Sequence, residues 1–173
     1  MRRPVDAGRV RDFMRALGQE ADRESRVYFT GGATAVLYGW RSSTLDLDIR
    51  IVPDEDRLLR AIPRLKEALE INVELASPDA FIPELPGWAN RSPFIAREGK
   101  TSFHHYDLYA QALSKIERGH DRDLEDVKAM FDRGLVDRGL LLERFVEIEP
   151  ALYRYPAIDP KSFRAAVEGI TCG

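Results

Sequence analysis

Two aspartates, Asp46 and Asp48, stand two residues apart in a run whose other positions are Leu45, Leu47, Ile49 and Ile51. In an extended strand alternate side chains share a face, so both carboxylates emerge on one side, about 7 Å apart at their bases. Carboxylates held that near repel unless a cation lies between them. Oxygen donors of this kind suit Mg²⁺, and two such ions can organise an in-line displacement at phosphorus. Leu45, Leu47 and Ile49 are expected to pack inward and fix the register. The plain alternative is a half-exposed edge strand with a solvated polar face, because an isolated Asp-x-Asp is a common pattern. What adds weight is Gly31-Gly32, fourteen positions ahead of Asp46 counting from Gly32, between a β-rich run at 26–30 and an Ala-rich run at 33–38. A glycine turn that opens a helix offers backbone N–H groups without side-chain obstruction, where phosphate oxygens bind well. Thr30 and Thr34 add hydroxyls nearby.

The stretch GGATAVLYGWRSSTLDLDI resembles the signature of the DNA polymerase beta-like nucleotidyltransferase superfamily, in which a Gly-Gly or Gly-Ser turn and a helix precede an Asp-x-Asp or Asp-x-Glu strand. Its RSSTLDLDI part, with Arg41 and Thr44 ahead of the acidic pair, is similar to the minimal nucleotidyltransferases among bacterial toxin-antitoxin and abortive-infection proteins. That resemblance implies that Gly31 and Gly32, with Thr34, hold the triphosphate of an NTP such as ATP or GTP. It also implies that Asp46 and Asp48 bind two Mg²⁺ ions, for which Mn²⁺ can substitute. A third carboxylate in this superfamily commonly comes from a neighbouring strand. Glu74 is the candidate, because Asn72 and Glu74 alternate with Ile71, Val73 and Leu75, which are expected to face the core. It would serve as base or third metal ligand, although a solvent-facing Glu on an edge strand explains it equally well. The family often has Asp where this chain has Glu. Arg41 and Thr44 are candidate contacts to the acceptor, as are Arg91 and Arg97.

A second constellation lies in YAQALSKIERGHDRDLEDVKAMF. Lys115 and Arg118 are one helical turn apart and can reach the same anion, while Ala112, Leu113 and Ile116 face inward. Gly119 is expected to break this helix, and His120 or Asp121 to cap the next, whose buried stripe would be Leu124, Val127, Met130 and Phe131. An ordinary solvated face laced by ion pairs is the usual meaning of such a charge run. The segment also resembles the downstream Lys-x-x-Arg and Arg-Asp-x-x-Asp motif of the abortive-infection nucleotidyltransferase toxins. By that resemblance Lys115, with Arg118, contacts the triphosphate, and Asp123 and Asp126 position the nucleotide or the basic side chains. The two motifs span roughly 28–133 in the expected order. His104-His105 lacks a further Cys or His to complete a zinc set and reads as structural.

The elements around these residues define an α+β fold, a small mixed β-sheet with flanking helices and a C-terminal helical tail. Helix periodicity marks about 6–21, and strands are expected at 26–30, 45–52, 71–75, 94–97 and 101–106. A helix after Asp54, its expected N-cap, should be kinked or split at Pro63. The proline-rich 77–92 reads as an ordered loop. Helices at about 107–118, 122–133, 137–147 and 160–169 follow. The division is a nucleotidyltransferase core at 1–106 and a helical region at 107–173 packed on it, if the two are not one domain.

The 173 residues, 32% charged and 44% hydrophobic, with a net charge of −3, match a globular chain rather than a disordered one. A nucleic-acid partner would need a local basic patch. The first residues read as neither a secretory nor a twin-arginine leader, and no run approaches the roughly 18 apolar residues of a membrane helix. The single Cys172 excludes a disulfide framework within the chain, so the cytoplasm is the expected compartment and no membrane partner is expected. The activity to expect is transfer of a nucleoside monophosphate from an NTP to an acceptor hydroxyl, on tRNA, another nucleic acid or a protein. The resemblance implies, as one setting, a toxin with a cognate antitoxin. The rival is a nucleotidyltransferase fold without turnover that serves as a binding partner.

Overall fold

The computed structural model describes residues 3–172. It resolves into two compact units. One runs up to Ser77 and resumes over Ser92–Tyr106; the other takes Pro78–Arg91 and the described chain from Asp107 onward.

The first unit is built on a five-stranded mixed sheet. Its strands are β1 (Ser25–Thr30), β2 (Asp46–Val52), β3 (Asn72–Leu75), β4 (Phe94–Glu98) and β5 (Thr101–His105), in the order β3-β2-β1-β5-β4. β1 pairs antiparallel with β2 and parallel with β5, β2 pairs parallel with β3, and β4 antiparallel with β5. Helices α1 (Ala7–Gly18), α2 (Gly32–Tyr38) and α3 (Asp56–Leu69) cover one face. There Phe13, Leu17, Val36, Leu58 and Leu65 meet Val27, Phe29, Leu47, Ile49, Val73 and Phe103 in a single apolar core. Alternation along each strand sends the polar residues between them to the opposite face. This is the expected α+β class, with a mixed sheet, flanking helices and helices at the C-terminal end.

Two local expectations are corrected, and of the kink or split expected at Pro63 the split is excluded. Leu45 and Leu75 are 66% and 61% exposed rather than packed inward. Leu45 precedes the first residue of β2 and Leu75 ends the edge strand β3, so the register is held by Leu47, Ile49 and Ile51. Glu55, not Asp54, caps α3, its carboxylate accepting from the Arg57 N–H. The helix runs through Pro63 as one element, with Pro63 on its exposed side, where a carbonyl that loses its partner is within reach of water. Gly39 ends α2 in the left-handed conformation, as its place after the Ala-rich run requires.

The second unit is helical. It contains α4 (Trp88–Arg91), α5 (Leu108–Arg118), α6 (Asp121–Asp132), α7 (Arg138–Ile148) and α8 (Pro160–Thr171), with 3-10 turns at Pro78–Ala80 and Glu149–Arg154. Leu113, Ile116, Val127, Met130, Leu141, Phe145, Phe163 and Val167 are buried, and the Phe145 and Phe163 rings meet edge to face at 4.9 Å. Leu124, expected in this stripe, is instead 37% exposed. The segment Pro78–Arg91 is tied to this unit by the Tyr155 hydroxyl, which donates to the Asp79 carbonyl at 3.1 Å, and by Arg91, which donates to Asp107 at 2.7 Å. No helix among the described residues is long and apolar enough to cross a membrane.

Candidate active site

Strand pairing places the acidic residues side by side. Asp48 lies opposite Thr30 on β1 and opposite Glu74 on β3, while Asp46 lies opposite Asn72. Thr30, Asp48 and Glu74 therefore form a row across three strands, with neighbours about 5 Å apart at the backbone. The Asn72 amide donates to Asp46 Oδ1 at 2.7 Å and to Glu74 Oε1 at 3.2 Å, so one side chain orients two of the three carboxyl groups. Both aspartates are half-buried and Glu74 is exposed.

Among the described residues no group of three His, Cys, Asp or Glu side chains is gathered closely enough to hold an ion unaided. The donors on this face are nevertheless the hard oxygens that Mg²⁺ takes. Mg²⁺ is usually held by one or two carboxylates together with waters and substrate phosphates rather than by an all-protein cage. Asp46 and Asp48 fit that arrangement.

The two glycines of the turn do different work. Gly31 has φ 64° and ψ −127°, a conformation open to glycine, and a Cβ there would stand 3.4 Å from Asp48 Oδ2. A side chain at Gly31 would thus come into van der Waals contact with the Asp48 carboxylate. Gly32 is a packing residue: a Cβ would fall 2.0 Å from Thr44 Oγ1. Thr44 exchanges backbone hydrogen bonds with Val5 at 2.7 and 2.9 Å and donates its hydroxyl to the Asp46 carbonyl at 3.2 Å. The Thr44 side chain therefore braces the turn against the acidic strand. Arg41 is half-buried, its N–H donating to the Ala35 carbonyl at 3.3 Å beyond the end of α2.

Thr34 is fully buried, and its hydroxyl shares a 2.9 Å hydrogen bond with His105 Nδ1. The His105 ring stacks on Tyr38 at 4.4 Å, and Tyr38 stacks on Trp40 at 5.8 Å. Burial, and after it the charge of His104, push His105 down to about 4, so the ring is neutral at physiological pH. The double histidine accordingly serves the packing of this unit.

In the helical unit the second motif closes on itself. Lys115 Nζ lies 2.8 Å from Asp126 Oδ2 and 3.9 Å from Asp123 Oδ1, with the lysine side chain 8% and that of Asp126 2% exposed. Arg118 Nε donates to Asp123 Oδ2 at 2.8 Å and its Nη2 to Oδ1 at 2.5 Å. Against the cost of burial, these contacts to Arg118 and Lys115 hold Asp123 below the usual carboxylate range. Lys115 and Arg118 do reach one anion, and in this structure that anion is Asp123.

Residues that spacing did not single out complete the sheet face. Tyr28, opposite Arg50, is buried against His104 at 5.3 Å and Tyr106 at 6.2 Å, and Arg50 donates to the Tyr106 hydroxyl at 3.4 Å. The alternation of Arg26, Tyr28 and Thr30 with Val27 and Phe29 carries the signal for them, because it puts these three on one side of β1.

A mixed sheet that is apolar on its helix-covered side and carries two aspartates and a glutamate beside a glycine turn on the other fits a small nucleotidyltransferase core. The family described as "Nucleotidyltransferase of unknown function (DUF6036)" matches residues 8–165, and the chain belongs to that family. No curated protein and no solved structure matches it significantly.

Proposed function

We infer that the protein transfers a nucleoside monophosphate from an NTP to an acceptor hydroxyl, with Asp46 and Asp48 at the reacting end. The observation that carries this is the nearness of Gly31 to Asp48, whose Oδ2 would lie 3.4 Å from a Cβ placed there, with Thr30 and Glu74 flanking Asp48 on the same face. A phosphate lodged at the turn would then sit beside the carboxylates. Mg²⁺ bound by Asp46 and Asp48 would supply the charge that draws the triphosphate in and stabilises the departing pyrophosphate. The acceptor oxygen forms a bond to the α-phosphorus, the bond from that phosphorus to the bridging oxygen breaks, and pyrophosphate leaves. Glu74, exposed and one strand from Asp48, takes the hydroxyl proton. Asn72 keeps Asp46 and Glu74 oriented for these parts.

The ATP or GTP preference, the tRNA or protein acceptor and a toxin role with a cognate antitoxin belong to the same proposal. Lys115 and Arg118 would assist the triphosphate only by exchanging Asp126 and Asp123 for phosphate oxygens. A specific observation favours a second role for them, as a clamp between α5 and α6: their charges are already met within the helical unit.

The test incubates the protein with Mg²⁺, each α-labelled NTP in turn, and bulk tRNA or cell lysate. Labelled product that disappears in both Asp46→Asn and Asp48→Asn supports transfer. No product with any NTP, or product undiminished in these variants, rejects it and leaves the fold as a binding module.

A further inference from the structure

The open face of the sheet carries a second group of side chains beyond the carboxylates. Arg97 lies opposite Ser102, Ser102 opposite Arg26, and Arg26 two positions along β1 from Tyr28, whose partner on β2 is Arg50. Arg50 is in turn two residues from Asp48, about 7 Å along the strand. Three guanidinium groups thus step across the sheet toward the acidic end.

Phe94 joins them because of an irregularity. Residues three apart point to opposite sides of a regular strand, yet the register shift between Phe94 and Ala96 leaves Phe94 opposite His104 and Arg97 opposite Ser102, on one side. Phe94 is 62% exposed and meets the His104 ring edge-on at 5.5 Å, with Tyr28 stacked beneath that ring. Arg26 and Arg97 border a hollow of about 470 Å³ with Glu24, Ser25, Val52 and Ser102. Arg97 is held by Glu24 at 2.7 and 2.9 Å. The Arg26 side chain is exposed and has no hydrogen-bond or ion-pair partner among the described residues.

Stepped positive charge beside an exposed ring is matched by a polymer that repeats a negative charge and a flat base, whereas a peptide acceptor requires neither. We propose that this basic and aromatic half of the face binds single-stranded polynucleotide, Arg26, Arg50 and Arg97 taking phosphates and Phe94 stacking a base. A terminal hydroxyl of the strand is thereby presented to Asp46 and Asp48. Only that presentation rests on the proposed transfer; the binding surface stands without it.

The probe is a fluorescein-labelled, mixed-sequence single-stranded oligoribonucleotide, titrated by anisotropy at several salt concentrations without NTP or Mg²⁺. Binding should weaken steeply with salt. Arg26→Gln and Phe94→Ala, both surface changes, should each weaken it about tenfold, and Arg26→Gln should also lower the salt slope by about one. Asp46→Asn with Asp48→Asn should bind at least as tightly as the parent. Melting temperatures equal to the parent's are required of every variant compared. Equal affinity in Arg26→Gln and Phe94→Ala, or no salt-dependent binding, overturns the proposal. Transfer to a protein acceptor in the absence of oligonucleotide binding overturns it while leaving the proposed function, and oligonucleotide binding without transfer does the reverse.

Discussion

The sheet unit and the helical unit each hold a pair of acidic residues at short spacing, and they treat them differently. Asp46 is met by an amide, and Asp48 is flanked by Thr30 and Glu74, with Gly31 near it. Asp123 and Asp126 are met by Arg118 and Lys115 inside a buried cluster. The difference teaches that an acidic motif acquires its role from what neutralises it. An amide orients Asp46, whereas a lysine at 2.8 Å supplies Asp126 with a cation from the chain.

The contrast can be broken most forcefully at the sheet. If transfer runs as proposed, Asp48→Asn should cut it roughly a thousandfold while changing the melting temperature little, because the proposal places the Asp48 charge at the reacting end and the change is nearly isosteric. A large stability loss with transfer intact would place Asp48 on the structural side of the comparison.

In the helical unit the expectation inverts. Asp126→Ala leaves the buried Lys115 ammonium without its nearest partner and should lower stability by about 3 to 4 kcal/mol. Lys115→Met combined with Asp126→Leu should lose less than either single change, as chemical denaturation would show. NTP affinity of Lys115→Met sharpens the point: an unchanged value assigns Lys115 wholly to the clamp.

His105 gives a smaller effect with a defined pH window. Its folded-state value of about 4 lies below the ordinary 6.5, so the unfolded chain binds the proton more readily between those values. Its contribution is complete above pH 6.5 and is lost as pH falls toward 4, amounting at most to about 3 kcal/mol. The urea midpoint of the parent should therefore drop more steeply from pH 6.5 to 4 than that of His105→Gln, and parallel curves would remove His105 from the account. Buried Asp107, raised by desolvation, works in the opposite sense in both proteins and cancels in the difference.

The smallest effect concerns the brace of the turn. Gly32→Ala should cost about 2 kcal/mol by driving a methyl into Thr44. Adding Thr44→Ala should recover part of that loss if the clash is its cause. A full loss in the double variant would mean that Gly32 is needed for its backbone rather than for its closeness to Thr44.

Much of this arrangement was legible before the structure. Period-two alternation at 45–52 and 26–30, the Ala-rich run ending at Gly39, and the four helical stripes after residue 107 follow from local propensity and from the faces each element must bury. The same patterning put Asp46 and Asp48 on one face and Asn72 with Glu74 on another strand's polar side. Leu45, Leu75 and Leu124 were misread because alternation says which side of an element a residue occupies, not whether anything covers that side.

What patterning could not give is adjacency. Strand order β3-β2-β1-β5-β4 sets Glu74 and Thr30 on either side of Asp48, brings Arg26 between Ser102 and Val52, and turns Phe94 and Arg97 to one face through an irregularity. It likewise took folding to spend the charge of Lys115 on Asp126. Residue types and local periods are written in short windows of chain. Which windows become neighbours, and which charges therefore meet inside the protein, is settled by long-range pairing and burial that no short window contains.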